Sequence, residues 1–275
     1  CAPARAARVP REPLPEVTHT VYLDIELCDG AFDRGSTLGR PSLICESGEK
    51  LGRLTLGLYG DVLPATVADF VAMLDGTEGV PQLVGTVFQK STGTYLLGGR
   101  QGAARVGDVA ATGAGKHGWP GGAARAQELL SASSYRLAHT PGALSLALTE
   151  NDDRLFITDR DGYHGTEFML VTGPAPAVDL DGSNVVFGRV LEGYGTLASM
   201  AAVRAFRPNA RLRSLNAMGE TLGDKRAETA RQQWDRPLRA IVIRDAGVLS
   251  APAPAMAVEG DAEAVAAGAA GAAAV

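Results

Sequence analysis

Alternating apolar and polar side chains predict two strands near the start of the chain. The run TVYLDIEL (residues 20–27) alternates as a half-buried strand does, and GRLTLGL (residues 52–58) repeats the pattern. A helix follows, because Pro64 suits a first helical turn and apolar residues then recur at i, i+3, i+4 and i+7. The helix residues that we expect to face the core are Val67, Phe70, Val71 and Leu74.

Short apolar runs separated by Gly, Pro, Asn and Asp fill residues 84–190. Many short strands with one early helix indicate a mainly β domain built as a closed or nearly closed barrel. A second amphipathic helix is predicted over residues 193–203, where it would plug the opposite mouth of the barrel. Its expected inward-facing residues are Tyr194, Leu197, Ala198 and Ala201.

Residues 209–234 are charged and helix-prone, and they predict a helical insertion before a last strand, LRAIVI (residues 238–243). The apolar residues spaced to pack this insertion against the barrel exterior are Leu212, Leu215, Met218 and Leu222. The basic residues expected in solvent, as a face for an acidic partner, are Arg211, Lys225, Arg226 and Arg231.

Both ends of the chain are expected to lie outside one folded domain over residues 18–250. Residues 1–17 form a flexible basic segment, and its first part, CAPARAARVPR, contains no acidic residue. That composition fits the end of an organellar transit peptide, and a basic linker or cloning junction fits it equally well. Residues 251–275 hold mostly alanine and glycine, which predicts a disordered tail because few large apolar groups are available for a core.

Length and charge narrow the possible partners. The chain has 275 residues, which suffice for one large β domain with tails. Its net charge of -5 comes from interspersed acidic and basic residues, so no basic patch favours a nucleic acid partner. No run approaches the roughly 20 apolar residues that a transmembrane helix needs. We therefore expect neither nucleic acid binding nor a transmembrane segment.

Cysteines and histidines do not form a metal-binding pattern. None of the three cysteines belongs to a C-x-x-C pair and the four histidines are scattered, so we expect no metal and no cofactor. Cys28 and Cys45 flank a Gly-, Ser- and Pro-rich stretch between the first two strands, where a disulfide would join opposing chain ends. Two free buried thiols are the alternative. Ser145 lies outside any G-x-S-x-G elbow, and no histidine partner is implied for it.

Five segments, taken in order, resemble successive landmarks of the cyclophilins. They are VYLDI, LGRLTLGLYGDVLPATVADFVAML, the Gly98–Gly99 pair, HTPGALSLA and LDGSNVVFGRVLEG. The pattern D-G-x-x-V-V-F-G-x-V-x-E-G, residues 181–193, is the most specific, because it sets a turn, a strand and a helix start within thirteen residues. The resemblance implies a closed eight-stranded cyclophilin-like β-barrel capped by two helices, with the helical insertion added before the last strand.

The resemblance also implies peptidyl-prolyl cis-trans isomerase (rotamase) activity on X-Pro bonds of folding client proteins. Amide resonance sets the uncatalysed barrier at roughly 20 kcal/mol. In the family, an arginine aimed at the prolyl nitrogen favours the resonance-free transition state. A glutamine anchors the peptide backbone, and an apolar pocket grips the proline ring.

The family's catalytic arginine and its peptide-anchoring glutamine are both replaced in this chain. The family pattern F-H-R-x-x-P-x-F-x-x-Q-G-G corresponds to VFQKSTGTYLLGG, residues 87–99. Alignment without a gap puts Gln89 at the catalytic arginine, and a one-residue gap puts Lys90 there. A lysine keeps the charge without the planar fork, and a glutamine keeps neither. Leu97 stands at the family glutamine, so we expect weak or absent catalysis.

The rest of the implied peptide site is partly retained. Met169 replaces the phenylalanine that floors the proline pocket, Leu180 is kept, and Asn184 stands at a histidine of the pocket wall. The inserted residues 149–164 would either cover the groove or form a plain charged loop. The implied substrate-binding residues are Tyr95, Leu97, Ala147, Leu148, Glu167, Met169, Leu180 and Asn184.

Further features resemble a divergent cyclophilin of the chloroplast thylakoid lumen in plants and green algae. These are the cysteine-containing first loop, the GGRQG run at residues 98–102 and the insertion ending in QQWDRPL. The resemblance implies a protein that binds X-Pro segments of clients with impaired catalysis. The alternatives are a non-catalytic assembly or scaffold factor for thylakoid photosynthetic complexes, and a structural subunit that docks through the insertion. A lumenal setting would also suit a Cys28–Cys45 bridge.

Overall fold

The computed structural model describes residues 14–29, 48–77, 80, 82–99, 122–148, 167–231 and 233–251. Several sequence predictions therefore lie outside the described residues. They are most of the basic N-terminal segment, Cys45, the inserted residues 149–164 and the tail from residue 252 onward.

Eight antiparallel strands form one curled sheet in the order β3-β4-β6-β5-β7-β2-β1-β8. The strands are β1 (His19–Cys28), β2 (Glu49–Leu58), β3 (Lys90–Ser91), β4 (Tyr95–Gly98), β5 (Ala143–Leu146), β6 (Phe168–Val171), β7 (Val185–Glu192) and β8 (Ala240–Ser250). The predicted mainly β fold with eight strands is confirmed.

The closed barrel of the sequence prediction is not observed, because β3 and β8 are the two ends of the sheet. Between them lie an isolated bridge, Val87 to Val242, and a few backbone hydrogen bonds such as Phe88 N–H to the carbonyl of Ile241 (2.9 Å). β3 is only two residues long and cannot carry a ladder to β8. The sheet is therefore an open half-barrel.

Five helices accompany the sheet in the described part of the chain. They are α1 (Pro64–Asp75), α2 (Gly122–Leu129), α3 (Tyr194–Ala202), α4 (Ala210–Thr221) and α5 (Lys225–Arg231). α1 begins at Pro64 as predicted and ends at Gly76, whose positive φ of 68° favours glycine. Phe70 of α1 meets Phe168 and Phe187 of the sheet edge to face, so α1 packs directly into the main core.

α3 confirms the second predicted helix but not the full set of inward residues. Leu197 and Met200 are buried in the main core, whereas Tyr194 and Ala198 are exposed. Met200 lies three residues after Leu197, so the two share one helical face. Tyr194 stands at the rim instead, where its hydroxyl donates to the carbonyl of Val190 (3.0 Å).

The helical insertion is confirmed as α4 and α5, joined to the sheet by a short two-stranded stem. Ala205 is bridged to Pro237, and the amide of Phe206 donates to the carbonyl of Arg236 (2.8 Å). The predicted packing of its apolar residues is wrong. Leu212, Leu215, Met218 and Leu222 are 43%, 55%, 61% and 84% exposed.

The physical reason is that α4 packs against α5 through small and polar residues rather than through its large apolar side chains. Asn216 of α4 is buried, and its Nδ2 donates to the carbonyl of Ala227 in α5 (2.6 Å). A side chain at Gly219 would lie 3.0 Å from the Cβ of Ala227, so the glycine permits this close approach. α4 thus contacts α5 through a polar side chain and a glycine, and its large apolar side chains remain exposed.

Candidate peptide-binding site

A row of directly opposed residues crosses the sheet from its edge to its middle. Lys90 lies opposite Leu97, Leu97 opposite Met169, Met169 opposite Ser145, and Ser145 opposite Val186. Opposed residues of antiparallel strands point to the same face. The neighbouring rows, such as Leu96, Leu170 and Leu144, belong to the main core. The row from Lys90 therefore lies on the opposite, outer face.

The outer face carries a second apolar cluster, which we call the outer cluster. Its buried members are Tyr59, Tyr95, Leu97, Ala143, Ala147, Met169, Val171, Ala177, Leu180 and Val186. Five of the sequence-predicted binding residues thus come together in one place. These five are Tyr95, Leu97, Ala147, Met169 and Leu180, and each is at most 2% exposed.

The other three predicted binding residues, Leu148, Glu167 and Asn184, lie outside the outer cluster. Leu148 packs in the main core, and its amide donates to Oδ1 of Asn184 (2.8 Å). Asn184 is itself buried, so this oxygen holds the end of β5 to the chain before β7. Glu167 is buried before β6, where its main-chain carbonyl accepts from the amide of Ala147 (3.1 Å).

The sheet register distinguishes the two candidates for the arginine position. Lys90 is partly exposed and directly opposes Leu97 on the outer face. Gln89 is 6% exposed, and its side-chain amide, oriented to satisfy its surroundings, donates to the carbonyls of Leu97 (3.2 Å) and Val87 (3.1 Å). The side-chain amide of Gln89 is thus used in hydrogen bonds within its own hairpin. Lys90 places a cation at the edge of the outer cluster.

Ser145 has a histidine partner, contrary to the sequence prediction. Nε2 of His139 lies 2.8 Å from Oγ of Ser145, and Nδ1 lies 2.7 Å from Oδ1 of Asp181. Burial lowers the pKa of His139, against the hydrogen bond and charge of Asp181, which raise it. A neutral ring that donates from Nδ1 to Asp181 and accepts at Nε2 from Ser145 satisfies these contacts.

This Ser-His-Asp network is structural. Ser145 and His139 are both 0% exposed, so an acyl substrate has no access to the serine oxygen. The network joins β5 to the turn before it through His139, and to the turn that precedes β7 through Asp181. The sequence signal was the six-residue spacing in HTPGALS, where the chain reverses at Gly142 (φ 84°) and brings the histidine back over the strand.

The described residues indicate neither a metal site nor a membrane-spanning helix. They contain no group of three or more His, Cys, Asp or Glu side chains that could hold a metal ion. Among the helices described, none has the length and apolar character to cross a membrane. Cys28 is disulfide-bonded, and because Cys45 lies outside the described residues, their pairing stays a prediction.

Comparison with known proteins identifies the family. Residues 44–217 match the family model described as cyclophilin type peptidyl-prolyl cis-trans isomerase/CLD. The chain is 36% identical over 252 residues to peptidyl-prolyl cis-trans isomerase CYP28, chloroplastic, of Arabidopsis thaliana, covering 90% of this chain and 87% of the relative.

Two further relatives are more distant. Peptidyl-prolyl cis-trans isomerase CYP26-2, chloroplastic, of Arabidopsis thaliana is 26% identical, over 74% of this chain and 67% of its own length. Peptidyl-prolyl cis-trans isomerase D of Saccharomyces cerevisiae is also 26% identical, over 65% of this chain and 61% of its own. The fold, the outer cluster and these matches agree, and the chain belongs to the cyclophilin-type family of peptidyl-prolyl cis-trans isomerases.

Proposed function

We propose that this protein binds X-Pro segments of client proteins on the outer face of the sheet and isomerises them weakly. The observation that carries the proposal is the register that places Lys90 opposite Leu97, in one row with Met169. Lys90 supplies a positive charge where the family uses arginine, but it has no planar fork to hold the prolyl nitrogen in one geometry. Leu97 has no group that can bind a peptide carbonyl.

Burial of the proline pocket is a second reason for weak turnover. Leu97, Met169 and Leu180 are fully buried. A proline ring can contact these side chains only after the groups packed against them move aside, and the free energy of that movement is subtracted from the binding energy. This cost weakens binding and turnover alike, and the replacement of the two polar family residues by Lys90 and Leu97 lowers turnover further.

The test is a protease-coupled isomerase assay on a proline tetrapeptide, run beside a reference cyclophilin. Loss of one pre-oriented donor lowers the rate about 10²- to 10³-fold, and we expect kcat/KM to be reduced by at least this factor. Binding of the same peptide, measured by NMR chemical-shift changes at the outer cluster, is expected to persist. A kcat/KM near that of the reference protein would contradict the proposal.

A second candidate function is an assembly or scaffold factor with no catalytic role. The observation that favours it is the exposed apolar side of α4, which an isomerase site does not use. Inactivity in the assay together with retained complex formation would select this candidate.

We propose a chloroplast location, and more finely the thylakoid lumen. Two relatives carry the word chloroplastic in their names, and a disulfide at Cys28 fits an oxidising compartment. Fractionation of chloroplasts into stroma, membranes and lumen, followed by immunoblotting, tests both levels. Non-reducing peptide mass spectrometry of lumenal material would also show whether Cys28 is paired with Cys45.

A further inference from the structure

The apolar side of α4 forms a continuous exposed stripe, which we call the α4 stripe. It consists of Leu212, Leu215 and Met218 of α4 and of Leu222 at its C-cap. Steps of three and four residues keep these side chains on one side of the helix. The stripe is about 15 Å long, because Leu222 lies ten residue steps of 1.5 Å after Leu212. Four large apolar side chains in contact with water on one helix mark an interaction surface.

The stripe is exposed although α4 packs against another helix. α4 already has a covered face, where Asn216 and Gly219 meet Ala227 of α5. Asn209 caps its start, with Oδ1 accepting from the amide of Leu212 (2.9 Å). The helix is therefore fixed in place by its own contacts, while the side chains of the stripe remain exposed beside them.

The segment that carries the stripe is positively charged, in a chain that is negative as a whole. Residues 204–239 contain nine Lys and Arg against four Asp and Glu, a local net charge of +5, while the whole chain carries -5. Arg211 is exposed within the stripe's side of α4 and has no acidic partner among the described residues. Arg213 lies on the side of α4 away from the stripe, where its guanidinium stands over the ring of Trp234 (5.8 Å). The surface thus combines an apolar strip with one exposed cation, Arg211.

We propose that the α4 stripe docks an acidic amphipathic helix of a partner protein. Such a helix would lay its apolar side along the four exposed residues and set a Glu or Asp side chain against Arg211. A second copy of the chain fits less well, because pairing through the stripe would bring together two segments that each carry a net charge of +5. The proposal is independent of the X-Pro site, which lies on the outer face of the sheet.

The test uses the full chain and a fluorescein-labelled model peptide of about 18 residues, with Leu on one helical face and Glu on the flanks. A peptide of the same composition in scrambled order is its control. Fluorescence anisotropy gives both affinities. We expect the amphipathic peptide to bind at least about tenfold more tightly than the scrambled one, a difference of about 1.4 kcal/mol.

Matched variants locate the binding. Leu215→Ser combined with Met218→Ser is expected to weaken peptide binding about tenfold, because two exposed anchors are removed. Arg211→Glu is expected to weaken it and to reduce its dependence on salt. Val178→Ser removes an equally exposed apolar side chain elsewhere and should leave binding unchanged. Circular dichroism and urea unfolding check that each variant keeps its fold.

Three results would overturn the proposal. The first is peptide binding that the stripe variants leave unchanged, or no preference over the scrambled peptide. The second is concentration-dependent dimerisation in analytical ultracentrifugation that the stripe variants abolish, since the occupant would then be a second copy. The third is stripe-dependent binding to anionic phosphatidylglycerol vesicles without binding to the peptide, since the occupant would then be a lipid surface.

Discussion

The main-chain carbonyl of Asp235 accepts a hydrogen bond from the amide of Ser91 (2.7 Å), which ties the stem of the insertion to edge strand β3. Nη2 of Arg207, also in the stem, donates to the carbonyl of Thr92 (3.2 Å). β3 has only two residues, and one of them is Lys90. The insertion therefore braces the hairpin that carries the cation of the proposed peptide site.

The first prediction concerns the backbone of Asp235, the one non-glycine residue with a positive φ (58°) among the described residues. Asp235→Gly should be more stable than Asp235→Ala by about 1 kcal/mol, because alanine is strained in the left-handed region and glycine is not. Both variants lack the carboxylate, so their comparison isolates the backbone. Urea unfolding midpoints measure the difference, and an alanine variant as stable as the glycine variant would contradict it.

The insertion shows how far the sequence could predict the fold. Helix-prone composition and apolar spacing were enough to predict helices over residues 209–234, and α4 and α5 lie there. The same spacing could not say what covers the apolar side, because an amphipathic pattern is identical for a face that meets the core and a face that meets a partner. Asn216 and Gly219 carried the actual contact, and neither is a large apolar residue.

The outer cluster could be predicted in part from the sequence. Five of the residues that the sequence assigned to a peptide site come from four distant segments and lie together in this cluster, because the family landmarks fix their positions in the sheet. The choice between Gln89 and Lys90 needed the pairing of a two-residue strand, which a one-residue gap in an alignment leaves open. The link from His139 to Ser145 depends on a chain reversal at Gly142, which the six-residue spacing permits but does not by itself specify.

The second prediction concerns the start of α1. Leu63 at its N-cap has no side chain that can accept a hydrogen bond, and Glu128 of α2 takes that role by accepting from the amides of Ala65 and Thr66 (both 2.9 Å). Glu128→Ala should lower the free energy of unfolding by about 1–2 kcal/mol, and Glu128→Gln by less. Gln127→Ala, at the exposed neighbouring position, is the control and should change it little.

Equal unfolding midpoints for the Glu128→Ala and Gln127→Ala variants would show that the carboxylate does not cap α1 in solution. Hydrogen exchange at the amides of Ala65 and Thr66 gives an independent readout. Exchange should accelerate in Glu128→Ala and remain slow in Gln127→Ala.

The third prediction is a pH dependence of stability from His139. Burial lowers the pKa of this imidazole in the folded state, so the unfolded chain binds the proton more readily. Its contribution to stability is complete above the unfolded pKa of about 6.5 and is lost as the pH falls below it, by at most about 1.4 kcal/mol per pH unit. Urea unfolding measured from about pH 7.5 to about pH 5, a range that includes the unfolded pKa, should show this loss of stability.

His139→Gln removes the titrating group, so the variant should lose less stability than the natural chain over the same pH range. Asp181→Asn removes the carboxylate that raises the pKa of His139, and should extend the loss to lower pH. Because the slope with pH is compared, a general weakening of either variant does not obscure the result. Identical slopes in His139→Gln and the natural chain would contradict the prediction.

The last prediction restores the family's polar residues on the outer face. Lys90→Arg combined with Leu97→Gln should raise kcat/KM in the protease-coupled assay about tenfold or more, because it supplies a planar donor at the prolyl nitrogen and an anchor for the peptide backbone. Lys90 and Leu97 are directly opposed, so the two new side chains are placed together. Gln89→Arg is the matched control: it introduces the same side chain one residue earlier, at a buried position, and should lower stability without raising the rate. If Gln89→Arg instead gives the larger rate, the register assignment is wrong. A folded double variant with an unchanged rate would show that access to the buried outer cluster limits turnover, since the donors would then be present and the proline ring still excluded.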